Sequence, residues 1–260
     1  MSANKFSFQM ACISDPGLVR KINEDNFAYK DQYLPEEHGK AFPAAEYPGE
    51  NEKAAVFDGI GGAADGELAS YLAAKTFAEY PPAERWDKDM IGTLFEAMHS
   101  VICQEKTEGC YSSFGTTATA FFLDGDGVWI ANSGDSPGFL YRKGALSMIS
   151  KPHTDAALIA SLGINRKPSI TQYLGMGDEL TPVRIAPDIS RIQLSEGDRI
   201  LLCTDGLTDM VSQDVIAGVL QSYSCTEEAV TILKDKALEM GGLDNVTLVL
   251  CDVREPVSQA

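Results

Sequence analysis

With 260 residues and 44% hydrophobic composition, the chain can bury a substantial core, and no repeat, linker or composition break divides it, so it reads as one domain over 1–260. A formal charge of −17 excludes a nucleic-acid or anionic-membrane surface, because phosphates attract basic proteins. The six cysteines form no C-x-x-C pair, and neither an apolar leader nor a run of ~18 apolar residues is present, so we expect a cytoplasmic monomer without disulfides, zinc or a membrane span.

Phe6, Phe8, Met10 and Cys12 alternate with polar residues, the period of a half-buried strand. Ser14-Asp15-Pro16-Gly17 turns the chain toward Arg20, and Asn26 to Tyr29 makes a second strand. Residues 30–53, with Pro35, Pro43 and Pro48 and no periodicity, read as an exposed loop in which His38 is solvated. Ala54 to Phe57 is an apolar strand ending in Asp58. A helix is expected from about Gly66 to Tyr80, with Leu68, Leu72 and Phe77 inward and Pro81-Pro82 ending it; Glu67 near its start suits the helix dipole. A second helix runs from about Asp87, its cap, to Glu105. Ile91, Leu94, Phe95, Met98, Val101 and Ile102 form its stripe, and His99 falls off that stripe, toward the surface.

Thr116 to Leu123, Val128 to Asn132, Gly138 to Arg142 and Ala145 to Ile149 read as strands. The turn Asp124-Gly125-Asp126-Gly127 has the opening of a calcium loop. Trp129 stands where the sixth residue must be glycine, however, and Asp135 where the twelfth should be Glu, so it reads as a hairpin turn. Residues 150–188 are irregular, with Pro152, Pro168, Pro182 and Pro187, a short helix over 156–162, and His153 at the entrance. Ile189 to Leu194 and Arg199 to Thr204 are expected to form a hairpin across Ser195-Glu196-Gly197-Asp198. Helices over about 212–221 and 226–240 follow, and Val246 to Val253, apolar on both faces, reads as a central strand. Strands in the middle with helix pairs in two separate places give an α+β fold, two sheets face to face with helices outside each.

The acids supply the chemistry. Asp58 ends an apolar strand beside Gly59, Gly61 and Gly62; Asp205-Gly206 ends another, with Asp209 close behind. Asp244-Asn245 precedes the last strand, Asp135 sits in Gly134-Asp135-Ser136, and Asn23-Glu24-Asp25 precedes the second strand. Carboxylates brought together from five strand ends repel one another, and that arrangement calls for cations between them. Oxygen ligands of this kind favour magnesium or manganese over zinc. Arg20 is the cation beside them, and its planar fork matches a phosphate.

In chain order, Arg20-x-x-Asn23-Glu24-Asp25, Asp58-Gly59-x-Gly61-Gly62 with Gly66-Glu67-x-Ala69-Ser70, Gly115-Thr116-Thr117, Gly134-Asp135-Ser136, Asp205-Gly206-Leu207-x-Asp209 and Asp244-Asn245-x-Thr247 resemble the motifs of the metal-dependent, type 2C serine/threonine protein phosphatases, the bacterial members above all. The likeness runs from about residue 8 to 253. It implies a four-layer α-β-β-α sandwich of two mainly antiparallel sheets, with 150–188 as a flap beside the site. It also implies phosphoserine and phosphothreonine proteins as substrates, opposite a kinase, and Arg20 as the phosphate-binding arginine. Two Mn2+ or Mg2+ ions are expected, with Asp58 bridging them, the Gly59 carbonyl on one, Asp205 and Asp244 on the other, and Glu24 and Asp25 completing the set directly or through water. A third, weaker ion is implied at Asp135 with Asp205. Hydrolysis would then proceed by in-line attack of a metal-bridging hydroxide.

Two positions depart from the pattern. Ile60 stands where animal members carry a histidine proposed as general acid, and Pro137 where the family usually has Arg. The competing readings are an inactive relative retained as a regulatory binding module, a calcium-stabilised structural protein, and other phosphoryl enzymes. An aspartyl-nucleophile phosphatase would need Asp-x-Asp, which Ile60 interrupts, and a nucleotide kinase would need a Gly-x-x-x-x-Gly-Lys loop.

Overall fold

The computed structural model describes residues 6–35, 42–47 (backbone alone), 52–61, 65–81, 83, 85–177, 181 and 183–255. Strand β1 (Ser7–Asp15) is half-buried where it begins and buried through its centre, as the alternation of its first residues requires. After β2 (Asp25–Tyr29), buried throughout, the segment expected to be an exposed loop instead carries β3 (Gln32–Tyr33) and β4 (Phe42–Tyr47). Both are edge strands, where Pro43 removes no needed ladder bond and no apolar periodicity is required. His38 and Gly62 lie outside the described residues.

Strand β5 (Lys53–Gly61) leads to α1 (Asp65–Glu79) and α2 (Lys88–Glu108). The fully buried face of α1 is Ala69, Ser70, Ala73, Ala74 and Phe77, with Leu68 and Leu72 only partly buried at its margin. The small alanines let this helix lie close on the sheet. Asp87 caps α2 as expected, accepting from the Met90 amide at 2.8 Å. His99 is the exception on α2: it is buried, because the chain after residue 150 packs over that side of the helix. Its Nε2 lies 2.9 Å from the Val183 carbonyl, and its Nδ1 accepts from the Gly175 amide at 3.1 Å.

The expected strand 116–123 is two strands, β6 (Phe114–Thr116) and β7 (Ala118–Asp124), broken at Thr117. Then come β8 (Gly127–Ser133), β9 (Gly138–Arg142), β10 (Ala145–Met148), the short α3 (Ala156–Ser161), β11 (Asp188–Gln193), β12 (Arg199–Cys203), α4 (Asp205–Thr208), α5 (Gln213–Ser222), α6 (Thr226–Glu239) and β13 (Val246–Arg254). Asp124 pairs with Gly127, so that segment is a hairpin turn.

Six strands form one antiparallel sheet in the order β10-β9-β12-β13-β1-β4, and a second sheet runs β11-β8-β7-β5-β2-β3, with β6 pairing β5. The hairpin expected over 189–204 does not exist: β11 pairs β8 in the second sheet, and β12 pairs β9 and β13 in the first. Residues 194–198 step between the sheets. Leu194 is buried between them, and the Asp198 carboxylate fixes the step by accepting from the Ser195 amide at 2.8 Å and from Arg142 at 2.7 and 2.6 Å.

Three apolar clusters define the layers. Phe8, Met10, Phe27, Val56, Phe121, Ile200 and Val249 fill the space between the sheets. Phe57, Ala73, Phe95 and Phe122 bind α1 and α2 to the outer face of the second sheet. Leu201, Leu248, Ile216, Val230 and Leu233 bind α5 and α6 to the outer face of the first. The result is helix, sheet, sheet, helix, with β13 buried on both faces at the centre of its sheet. No helix is long and apolar enough to cross a membrane among the described residues.

Candidate active site

The acids meet at one rim of the sandwich because antiparallel register puts the relevant strand ends together. Asp25 at the start of β2 is the direct cross-strand partner of Asp58 in β5. The Asp58 main chain is fully engaged: its carbonyl accepts from the Thr117 amide and the Thr116 hydroxyl, each at 2.9 Å, and its amide reaches Thr117 Oγ1 at 3.1 Å. Breaking the strand at Thr117 is what permits this. The carboxylate of Asp58 is therefore the group left for other work.

Asp25 is buried and accepts from Thr204 Oγ1 at 2.7 Å, a bond that crosses from one sheet to the other. Thr204 in turn accepts from the Thr247 amide at 3.0 Å. Thr247 Oγ1 and Ser14 Oγ stand 2.7 Å apart, and Asn23 Nδ2 donates to Ser14 Oγ at 2.8 Å. Glu24 is held by main-chain bonds: its amide donates to Asn245 Oδ1 at 2.8 Å and its carbonyl accepts from Gly59 at 3.1 Å. Asn245 Nδ2 also donates to the Pro16 and Ile22 carbonyls, so this one amide ties the loop before β2 to the start of β13.

Glycine is required where these backbones touch. A Cβ on Gly59 would lie 2.3 Å from the Gly66 carbonyl oxygen and 2.4 Å from that of Glu24. This close approach leaves Glu24 Oε1 buried against the start of α1 without a well-formed hydrogen bond.

Asp135 follows β8, Asp205 and Asp209 follow β12, and Asp244 precedes β13. Burial first, then the charges of Asp25, Asp205, Asp135 and Asp244, raise the Asp58 carboxyl well above its usual range. Burial likewise pushes Asp25 up to about 8 against the stabilising hydroxyls of Thr204 and Thr247, and burial with Asp205 pushes Asp135 up to about 6. Asp58, Asp25 and Asp135 thus each feel the neighbouring acids.

Two cations among the described residues reach this rim. Arg20 donates to Asp244 Oδ2 at 2.7 Å and lies 3.8 Å from Glu24, with its side chain about half exposed. Lys167, from the irregular segment after β10, bridges Asp209 at 2.6 Å and Asp205 at 3.0 Å. Partial burial disfavours its ammonium, but the two carboxylates outweigh that and raise its pKa. The sequence singled out neither Lys167 nor Asn245. Lys167 lies 38 residues from Asp205, beyond any local pattern. Asn245 was noted only as part of a motif.

His153 turns out to support the site from behind: its Nδ1 accepts from the Gly134 amide at 3.3 Å, and burial lowers its pKa. Pro137, one of the two departures, keeps its carbonyl on the Cys203 amide at 3.1 Å, so the crossing to β12 is intact.

The donor set is oxygen throughout, with mutually raised carboxyls and one orphaned carboxylate oxygen, which fits hard divalent cations. Among the described residues no three His, Cys, Asp or Glu side chains stand ready to ligate one ion by themselves.

Comparison with known proteins agrees with this geometry. The family model for protein phosphatase 2C matches residues 45–239. The serine/threonine protein phosphatase PstP of Mycobacterium tuberculosis is 32% identical over 250 residues, covering 94% of this chain but 44% of PstP, so the chain spans less than half of that relative. The serine/threonine phosphatase stp of Listeria monocytogenes is 26% identical over 255 residues, covering 92% of this chain and 93% of stp. The crystal structure of the PstP catalytic domain in complex with two manganese ions superposes with a TM-score of 0.75 at 29% identity, covering 96% of this chain and 100% of that one. On its sequence, its sandwich and the order of its acids, this chain belongs to the protein phosphatase 2C family.

Proposed function

We propose that the chain is a metal-dependent serine/threonine protein phosphatase, acting as a single domain on phosphoserine and phosphothreonine in other proteins. The observation that supports it most is the cross-strand pair Asp25–Asp58, both carboxyls raised by burial and by the charges of Asp205 and Asp244, with Asp135 raised beside them. Such repulsion is costly to maintain unless cations relieve it.

In this reading Asp58, the Gly59 carbonyl, Asp205 and Asp244 would hold two Mn2+ or Mg2+ ions. Glu24 and Asp25 would complete the set directly or through water, and Asp135 with Asp205 would hold a third, weaker ion. When bound, the ions supply Lewis acidity toward the phosphoryl oxygens and lower the pKa of a shared water. The protein does the rest. Thr116 and Thr117 fix the direction of Asp58 through its main chain, and Asn245 fixes Glu24 against Asp244. The half-exposed fork of Arg20 receives the phosphate oxygens and orients phosphorus for in-line displacement. Ile60 carries no ionisable proton, so the leaving serine or threonine oxygen takes one from water or from another residue.

The test is hydrolysis of a phosphothreonine peptide by the full chain with manganese and with excess chelator, for wild type and Asp58→Asn. We expect turnover only with the metal, reduced by at least about a hundredfold in the variant. Full activity in chelator, or an unaffected variant, would end this reading.

A further inference from the structure

Five large apolar side chains are exposed in the two adjoining loops that carry Arg20 and Asp244. Leu18 is 67% exposed, Val19 60% and Ile22 37% in the loop before β2, and Met240 67% and Leu243 55% in the loop before β13. Scattered exposed apolar residues are ordinary; a contiguous group beside a polar site marks an interaction surface.

The two loops are tied to each other. The Leu18 amide donates to the Gly242 carbonyl at 2.8 Å, and Asn245 Nδ2 holds the Pro16 and Ile22 carbonyls at 2.9 and 3.0 Å. A Cβ on Gly242 would lie 3.0 Å from Leu18 Cγ, so the leucine lies directly over that turn. Arg20, ion-paired to Asp244 at 2.7 Å, stands inside this group, with Lys21 next to it in the chain. In a protein of net charge −17, a pair of basic residues set among apolar ones at the mouth of the site is complementary to one kind of partner, an anionic group with an apolar neighbour.

From this surface, and resting on the phosphatase reading above, we infer that the chain selects phosphoprotein segments in which a large apolar residue adjoins the phosphorylated one. Arg20 engages the phosphate while Leu18, Val19 and Leu243 cover the apolar neighbour. Burial of one such side chain strengthens binding of the segment by roughly tenfold or more. The preference belongs to substrate binding and not to the chemical step, so it resides in KM.

The experiment compares two phosphothreonine peptides of equal charge, one flanked by leucine and one by glycine, with p-nitrophenyl phosphate as a substrate that has no flank. Wild-type protein and Leu18→Ser/Leu243→Ser are assayed with manganese. Fluorescence anisotropy with the same labelled peptides reads binding without turnover. We expect the leucine peptide to be favoured about tenfold by wild type, through KM and in anisotropy. The variant should lose that preference and keep its p-nitrophenyl phosphate rate and its melting temperature.

Equal treatment of the two peptides by wild type overturns the inference, as does a preference that survives the substitutions. A dimer that dissociates on the same substitutions also overturns it, since the surface would then belong to a second copy. A failed phosphatase reading shows up separately, as no hydrolysis of any substrate, and anisotropy still decides the peptide preference in that case.

Discussion

Replacing Asp25 by asparagine should make the metal-free protein more stable while impairing its chemistry. Burial and the neighbouring acids push the Asp25 carboxyl from its ordinary 3.8 up to about 8. At pH 7 the unfolded chain has released this proton and the folded one retains it, so folding works against ionisation. At about 1.36 kcal/mol per pH unit, the interval from 3.8 to 7 costs about 4 kcal/mol. Asparagine removes that penalty but buries an amide NH2 in place of one carboxylate oxygen, which offsets about half of it and leaves a gain of ~2 kcal/mol, or roughly 4–8 °C in Tm for a chain of this size. The sign follows from the raised pKa: the penalty is absent below about pH 4 and grows as pH rises toward 8. Asparagine keeps an oxygen acceptor for Thr204, so the hydrogen bond between the sheets survives. The assay is thermal unfolding in chelator from pH 4 to 8, wild type against Asp25→Asn. A variant less stable than wild type at pH 7, or a gain that does not shrink toward pH 4, would refute the reasoning.

Three further expectations are independent of the acids' titration. Gly59→Ala forces a Cβ to within 2.3 and 2.4 Å of two main-chain oxygens and should cost roughly 2–3 kcal/mol in urea unfolding, with loss of activity even where the fold survives. Asp252→Ala strands buried Arg199, which donates to Asp252 at 2.7 and 3.1 Å and to the Leu220 and Tyr223 carbonyls. We expect a loss of about 3–5 kcal/mol, read as a lower urea midpoint. Burial lowers the Lys53 ammonium from 10.5 to about 8, so the folded state releases its proton first and stability should rise between pH 8 and 10.5. A wild-type minus Lys53→Met difference that stays flat over that interval would contradict this.

Much of the site was legible because its acids sit where local pattern is strongest. Asp58 and Asp205 each close an apolar strand and are followed by glycine, and the last strand's two-sided apolarity placed it at the sheet's centre. What failed was non-local. Ser195-Glu196-Gly197-Asp198 has the composition of a hairpin turn, and only Arg142, 56 residues before Asp198, reveals that the chain changes sheets there. His99 lies off the apolar stripe of α2, and its burial depends on Gly175 and Val183, more than seventy residues on. Edge strands β3 and β4 need no periodicity, so none announced them. In α1 the leucines drew attention from the alanines, although close packing against a sheet favours the smaller side chain.

The bond from Thr204 to Asp25 has a mechanical consequence. Asp25, Asp58 and Asp135 hang from one sheet and Asp205 and Asp244 from the other, so the rim resembles a pair of jaws pinned by the buried Thr204–Asp25 bond together with the Asn245–Glu24 and Asn23–Ser14 bonds, and pushed apart by like charge on either side. Whatever neutralises that charge draws the jaws together, and the apolar filling between the sheets decides how far they can close. Substitutions such as Phe27→Leu or Val249→Ala, remote from any phosphate, would then alter the gap between the two sets of acids and leave every one of those acids in place.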